Sequence, residues 1–260
     1  LYKEHPAVLA WMLYDDVAIH RPHSHKIHEL YNTAYEIDPR HPSYLVITDP
    51  KVYKTFGRCC DILSVDTYPV ENGIIANVGE NIASAYNASD GDQPVWHCGQ
   101  LFSWPGQRIP TIREHRFMTY LALIKGAKGL LWYTYKGYGQ YLPVDYPELW
   151  EAHKKLLKEI TELSGLFMIK NTGSDIKLTE KQPDIKGTIK KSPNGLYIIA
   201  VNQSTKKSYS PEFIIGYDYS GEVIVIGEER SVIAKNGLFN DNFEPLDVHI
   251  YKVSSNSDID

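Results

Sequence analysis

Acidic residues stand where two of the strands encoded by this sequence should end, and such residues set the chemistry open to it. The run His5-Pro6-Ala7-Val8-Leu9-Ala10-Trp11-Met12-Leu13-Tyr14 leads into Asp15-Asp16. An apolar stretch with β-branched and aromatic residues predicts a strand over 7–13, covered on both faces. A second strand closes on Val65-Asp66, just before Tyr68-Pro69. Carboxylates at the C-terminal ends of parallel strands lie where α/β barrels place their chemistry. Two of them suffice for general acid/base cleavage of a glycosidic bond: one protonates the leaving oxygen, the other stabilises the cationic carbon.

Asp16 is the expected proton donor, its pKa raised by Asp15 if both are partly buried, since like charges resist joint ionisation. The alternative is that Asp15 or Asp16 caps the following segment through backbone N–H groups. Asp66 serves as second catalytic carboxylate or as a sugar-hydroxyl partner, with orientation of the Tyr68-Pro69 turn as its rival role. Asp15 and Tyr68 beside these two groups are expected to contact the substrate. Gln100, at the end of a later strand, is either a sugar-hydroxyl ligand or a satisfied amide at the rim. Trp11, Trp104, Trp132 and Tyr133 could offer apolar ring faces to a pyranose, against core packing as the alternative. Trp104 lies in a loop beside Pro105-Gly106, so packing explains it least well. His97 alternates away from Trp96 and Cys98 and is expected to be a packed strand histidine.

Strand and helix alternate around these residues. Helical spacing runs through Ile27, Leu30, Tyr31, Ala34, Tyr35 and Ile37 and stops before Asp38-Pro39. Strands are predicted over 44–48, 61–69, 94–102 and 130–135, with helices near 51–58, 79–88 and from 147 to 163. Thr111-Ile112-Arg113-Glu114 has the capping-box pattern that opens a helix. Five such units demand a parallel sheet with helical crossovers. From about 172 the pattern changes to short strands separated by turns, including the hairpin signal Ser192-Pro193-Asn194-Gly195. The expected fold is therefore α/β. A partial (β/α)8 barrel over residues 1–168 is followed by a small antiparallel β-sandwich over 172–255. Five units cannot close an eight-stranded barrel and would leave apolar edges, so an N-terminal barrel half is expected on the same polypeptide or on another chain.

The bulk composition excludes several classes. With 260 residues, 43% hydrophobic and 23% charged, the chain can build a proper core. A formal net charge of -5 without a Lys/Arg run argues against nucleic acid as partner. No stretch approaches the ~20 apolar residues of a membrane span. Cys59, Cys60 and Cys98 have neither a disulfide framework nor zinc spacing, and His20, His23 and His25 fit a solvated loop better than a metal site. No metal or other cofactor is expected. No signal peptide is visible, and both extracellular and cytoplasmic locations stay open.

The ordered motifs resemble those of bacterial glycosyl hydrolases of the large retaining clan A, whose acid/base follows barrel strand four and whose nucleophile follows strand seven. The resemblance is carried by His5-Pro6-Ala7, Trp11, Asp15-Asp16, Asp38-Pro39, His41-Pro42, Asp61, Val65-Asp66, Tyr68-Pro69, Pro94-Val95-Trp96, Gln100, Phe102 and Gly126-Ala127-Lys128-Gly129. It covers nearly the whole chain and makes the five strands here barrel strands four to eight. It implies a glycosidase acting on an oligo- or polysaccharide, with Trp132 flooring the sugar subsite. Two departures stand out. Asp16 replaces a Glu, withdrawing the acid by one methylene, and Gln100 replaces the nucleophilic Glu, which an amide cannot imitate. The alternative function is a catalytically decayed barrel that binds carbohydrate or assists assembly.

Overall fold

The computed structural model describes residues 2–169 and 175–254. The elements follow in the order β1 (Trp11–Tyr14), α1 (Val17–His20), α2 (Ser24–Ile37), β2 (Ser43–Ile47), α3 (Tyr53–Phe56), β3 (Ile62–Asp66), α4 (Asn77–Ala88), β4 (Val95–Gln100), α5 (Ile112–Ile124) and β5 (Gly129–Tyr133). A short hairpin, β6 (Lys136–Gly137) and β7 (Gln140–Tyr141), precedes α6 (Leu142–Asp145), α7 (Pro147–Glu162) and α8 (Ser164–Met168). The remaining strands are β8 (Ile185–Ser192), β9 (Gly195–Asn202), β10 (Glu212–Ile214), β11 (Gly221–Val225), β12 (Arg230–Ala234), β13 (Leu238–Asn240) and β14 (Val248–Val253). Two compact units result, Leu1–Ile109 with Lys125–Tyr141, and Pro110–Ile124 with Leu142–Asp260. The expected boundary between 168 and 172 borders residues 170–174, which lie outside the described residues.

In the first unit β1 to β5 form one curled parallel sheet in sequential order, half of a (β/α)8 barrel. The runs 43–47, 62–66 and 95–100 are almost wholly buried because they are interior strands. Helix α4 packs on β3 and β4 through Val78, Ile82 and Ala85, spaced by four and three residues along one helical face.

The opening strand is shorter and more exposed than the sequence suggested. Turns occupy the stretch before it, with Val8 N donating to His5 O at 3.0 Å. Within and beside β1, Met12 is 54% and Leu9 69% exposed. The reason is topological: among the described residues β1 is an edge strand paired only with β2. Of α2, only Ile27 is fully buried; Leu30 and Ile37, on its apolar face, line a groove of about 420 Å³ together with Trp11, Met12 and Leu13.

In the second unit an antiparallel sheet of order β12-β11-β14-β9-β8 is joined by the two-stranded β10-β13. Together they make the β-sandwich. Phe213 is the centre of its core, with ring centroids 5.0 Å from Phe239, 5.4 Å from Tyr251 and 6.0 Å from Phe243. The predicted hairpin joins β8 to β9, with Ser192 paired to Gly195. Gly187 and three lysines interrupt the apolar residues of β8, so the sequence gives little sign of this strand. A Cβ at Gly187 would lie 2.4 Å from Ile199 O, so only glycine allows this close approach of strands.

Helix α5 starts with the capping box intact: Glu114 N donates to Thr111 Oγ1 at 3.2 Å, and Thr111 N to Glu114 Oε2 at 2.8 Å. Arg116 on the same helix holds Glu159 of α7 through Nη1 at 2.9 and 3.0 Å. Replacing Thr111 by Ala should lower unfolding free energy by about 1 kcal/mol and Thr111→Ser should preserve it, as denaturant titration would show.

Candidate active site

Strand pairing fixes which side chains share a face. Val46 aligns with Ser64, Ser64 with Trp96, Asp66 with Cys98, and Gln100 with Tyr133. The Tyr44 and Trp96 rings meet at 5.5 Å on this same concave face. Asp66, Gln100 and Tyr133 each close their strand, so the three stand along the C-terminal rim of the sheet.

A backbone irregularity delivers the acidic pair to that rim. Met12 aligns with Tyr44 but Tyr14 aligns with Leu45, which leaves Leu13 as an extra residue in β1. Such a bulge re-aims the side chains that follow it. Asp16 then takes a left-handed backbone, with φ 43°, and caps α1. Its Oδ1 accepts from Ala18 N at 3.1 Å and Ile19 N at 3.3 Å, and both its oxygens lie 3.0 Å from Thr48 Oγ1. Of the two roles the sequence left open, capping is the one the geometry displays. Asp15 is exposed, and its charge acts on Asp66, Tyr68, Cys98 and Tyr133.

Asp66 is the most perturbed carboxyl of the rim. Burial pushes its pKa up to about 7, and the negative charges of Asp16 and then Asp15 add to the rise. Its own backbone N–H and the Tyr68 hydroxyl offset part of this effect. Among the described residues, Asp66 Oδ1 and its strand neighbour Ser64 Oγ are buried without hydrogen-bond partners. Tyr68 Oη lies 3.5 Å from Cys98 Sγ, and burial raises both groups, Cys98 to about 11. The result is a buried carboxyl with its pKa raised to about 7 on the same rim as the exposed Asp15. That pairing is what acid-catalysed cleavage of an acetal needs.

Three other expected contacts are placed differently. Trp11 begins β1 rather than ending it, and its Nε1 donates to Asp38 Oδ2 at 3.0 Å, away from the rim. Trp132 faces the opposite side of the sheet. A Cβ on Gly99 would sit 2.9 Å from Trp132 Cδ1 and 3.2 Å from His97 Nε2, which puts those two rings on one face and Tyr133 on the other. Gln100 is wholly buried: Val70 N donates to its Oε1 at 3.0 Å, and its Nε2 donates to Val70 O at 2.9 Å and Phe102 O at 3.2 Å. Its amide ties two rim loops together and has little left for a sugar. His97 is buried and burial lowers its pKa to about 4, as befits a packed histidine.

Tyr68, Trp104 and Tyr133 do come together. Phe102 is the shared underside, 5.1 Å from Tyr68, 4.7 Å from Trp104 and 5.4 Å from Tyr133. Tyr138 joins them and was not anticipated, although Gly137-Tyr138-Gly139 after a strand signals a turn that presents a single ring.

No family model matches the sequence, and no curated protein matches it. Solved structures do match. An α-amylase from Geobacillus thermoleovorans complexed with acarbose superposes with TM-score 0.63 at 14% identity, over 96% of this chain and 60% of that one. A GH30 endoxylanase from Clostridium papyrosolvens gives TM-score 0.55 at 13% identity, over 95% and 66%. Amy13B of Eubacterium rectale gives 0.57 at 11%, over 96% and 60%. This chain thus spans about 60% of the length of the first of these neighbours. Its fold is the one these neighbours share: the C-terminal part of a (β/α)8 barrel and the β-sandwich that follows it.

The raised pKa of Asp66 has a thermodynamic consequence. Between the ordinary carboxylate range, about 4, and about 7, the unfolded state ionises at this position while the folded state keeps its proton. The folded state then binds more protons, and stability falls as pH rises through that window. Denaturant titration should show Asp66→Asn gaining on the parent from pH 4 to pH 8, by on the order of 3 kcal/mol. A difference constant with pH would place Asp66 in the ordinary carboxylate range.

Proposed function

We propose that the chain is the C-terminal part of a glycoside hydrolase that cleaves O-glycosidic bonds with a carboxyl and a carboxylate of the rim. The observation that carries this is Asp66, a buried carboxyl raised to about 7 beside two further acids. In this reading Asp66 is the proton donor. Its proton passes to the glycosidic oxygen as the bond from that oxygen to the anomeric carbon breaks. Asp15 stabilises the cationic carbon electrostatically, water adds to that carbon, and the water's proton returns to the Asp66 carboxylate. Asp16, which the sequence favoured as donor, fixes the turn that carries Asp15. No cofactor takes part.

The substrate is an oligo- or polysaccharide. Two observations support this: Tyr68, a hydrogen-bond partner of Asp66, lies 6.2 Å from the Tyr133 ring, and solved neighbours are complexed with acarbose and with maltose. In the same reading residues 1–168 belong to the catalytic barrel and 172–255 to the trailing sandwich. The open edge of β1 receives the remaining barrel units, from the same polypeptide or another chain. Phosphate-rich nucleic acid is an unfavourable partner for a chain of net charge -5. Among the described residues no helix is long and apolar enough to cross a membrane.

A second reading has one observation in its favour. The Gln100 amide occupies the strand end where the related hydrolases carry a nucleophile, and it is consumed in loop contacts. A barrel so modified would bind saccharide without cleaving it. Aryl glycosides separate the two readings. Asp66→Asn should reduce turnover by a factor of about 10² to 10⁴, and the parent rate should fall above pH 7 as the donor ionises. Binding with no turnover by the parent across a broad glycoside panel would favour the second reading.

A further inference from the structure

One thiol of the concave face stands against the group that holds the proton. Cys98 on β4 is the pairing partner of Asp66 on β3 and is 8% exposed. Tyr68, two residues past Asp66, reaches back over this pair and brings its Oη to 3.5 Å from Cys98 Sγ. The same hydroxyl is a hydrogen-bond partner of the Asp66 carboxyl. One phenol oxygen is therefore shared by a thiol and an acid.

The ring that carries this oxygen has little freedom. It meets the buried Phe102 nearly at right angles, with centroids 5.1 Å apart, and lies 6.2 Å from Tyr133 with planes at 29°. With the ring held, the direction of the O–H bond is the freedom that remains, and two acceptors compete for it. Sulfur accepts weakly, whereas a carboxyl oxygen accepts well and makes a charge-assisted bond once ionised. The O–H therefore turns to Asp66. A lone pair of Tyr68 Oη then faces the buried thiol, whose sulfur also receives a backbone hydrogen bond from Tyr133. What the thiol has left to place is its S–H, and Tyr68 Oη is the acceptor within reach.

We propose that Cys98 is a positioning residue for the proton donor: its S–H donates to Tyr68 Oη and so keeps the Tyr68 O–H aimed at the Asp66 carboxyl. Its catalytic meaning rests on the glycosidase reading of Asp66. Each bond of such a chain polarises the next, so the S–H strengthens the bond that Asp66 receives. The effect is greatest once Asp66 has passed its proton to the glycosidic oxygen and stands as a buried carboxylate. The other titratable groups acting on Asp66 or Cys98 are Asp15 and Asp16 beyond β1, Tyr44 of β2, Tyr53 of α3 and Tyr133 of β5. Their side chains act through space, whereas the Tyr68 hydroxyl is hydrogen-bonded to both.

The test is carboxyl carbon NMR on the full chain, with Cys98→Ala and with Cys98→Val as the variant closer in volume. Both should raise the Asp66 midpoint by about 0.3 to 0.6 pH units, and Tyr68→Phe should raise it by about 1 to 2. In the Tyr68→Phe background Cys98→Ala should add nothing, because the path is gone. The infrared S–H band that Cys98→Ala removes should move to higher wavenumber in Tyr68→Phe, as that of a released donor does. On aryl glycosides the alkaline limb of kcat/KM should move up with the midpoint in Cys98→Ala, while KM stays unchanged. A Cys98→Ala midpoint equal to or below the parent's, the same shift in the Tyr68→Phe background, or an S–H band that Tyr68→Phe leaves in place would each overturn the relay. Turnover by the parent, with a midpoint unmoved by Cys98→Ala, would refute the relay and leave the glycosidase reading standing. A midpoint raised through Tyr68, with no turnover by the parent, would sustain the relay and end that reading.

Discussion

A carboxyl group buried at the end of β3, within the field of two other acids, is the constraint around which the first unit is arranged. Burying a charge is costly, and a carboxyl so placed answers by keeping its proton. The sheet sets up this situation through ordinary parallel pairing. Asp66 is the last residue of an interior strand, so neighbours enclose it on both sides, and alternation turns it to the concave face. The rise in the Asp66 pKa thus begins with burial, which strand order sets, and the charges of Asp16 and Asp15 add to it.

The other rim groups act on that carboxyl or on what approaches it. Asp16 uses its oxygens to begin a helical turn and to hold Thr48, and this fixes where Asp15 projects. Tyr68 spans from the acids to the aromatic deck, and Phe102 gives that deck a buried floor. Gln100 joins the Val70 and Phe102 segments, so the amide that closes β4 braces the loops that carry the rings. Positioning and chemistry are divided among residues whose types alone do not reveal the division.

Much of this was legible in the sequence. Apolar runs bounded by turn residues located β2, β3 and β4, and the carboxylate closing β3 marked the rim. Thr111 and Glu114 announced the start of α5 correctly because a capping box is a local device that needs no tertiary information. What could not be read was parity and register. A strand's period of two shows which residues share a face but not which face looks inward, so Trp132 and Tyr133 were indistinguishable. The extra residue Leu13 shifts β1 against β2, and with it the roles of Asp15 and Asp16; nothing in an apolar run marks a bulge. The opening run looked doubly covered because its composition suits an interior strand. Its actual place at a sheet edge depends on topology.

The account stands on the protonation of Asp66, and carbon NMR of carboxyl-labelled protein reads it directly. Titration of the Asp66 resonance, assigned by its loss in Asp66→Asn, should give an apparent pKa near 7 that moves down when Asp15 is replaced by Asn. A midpoint near 4, unmoved by that replacement, would contradict a buried proton donor at this rim and the acid chemistry inferred from it.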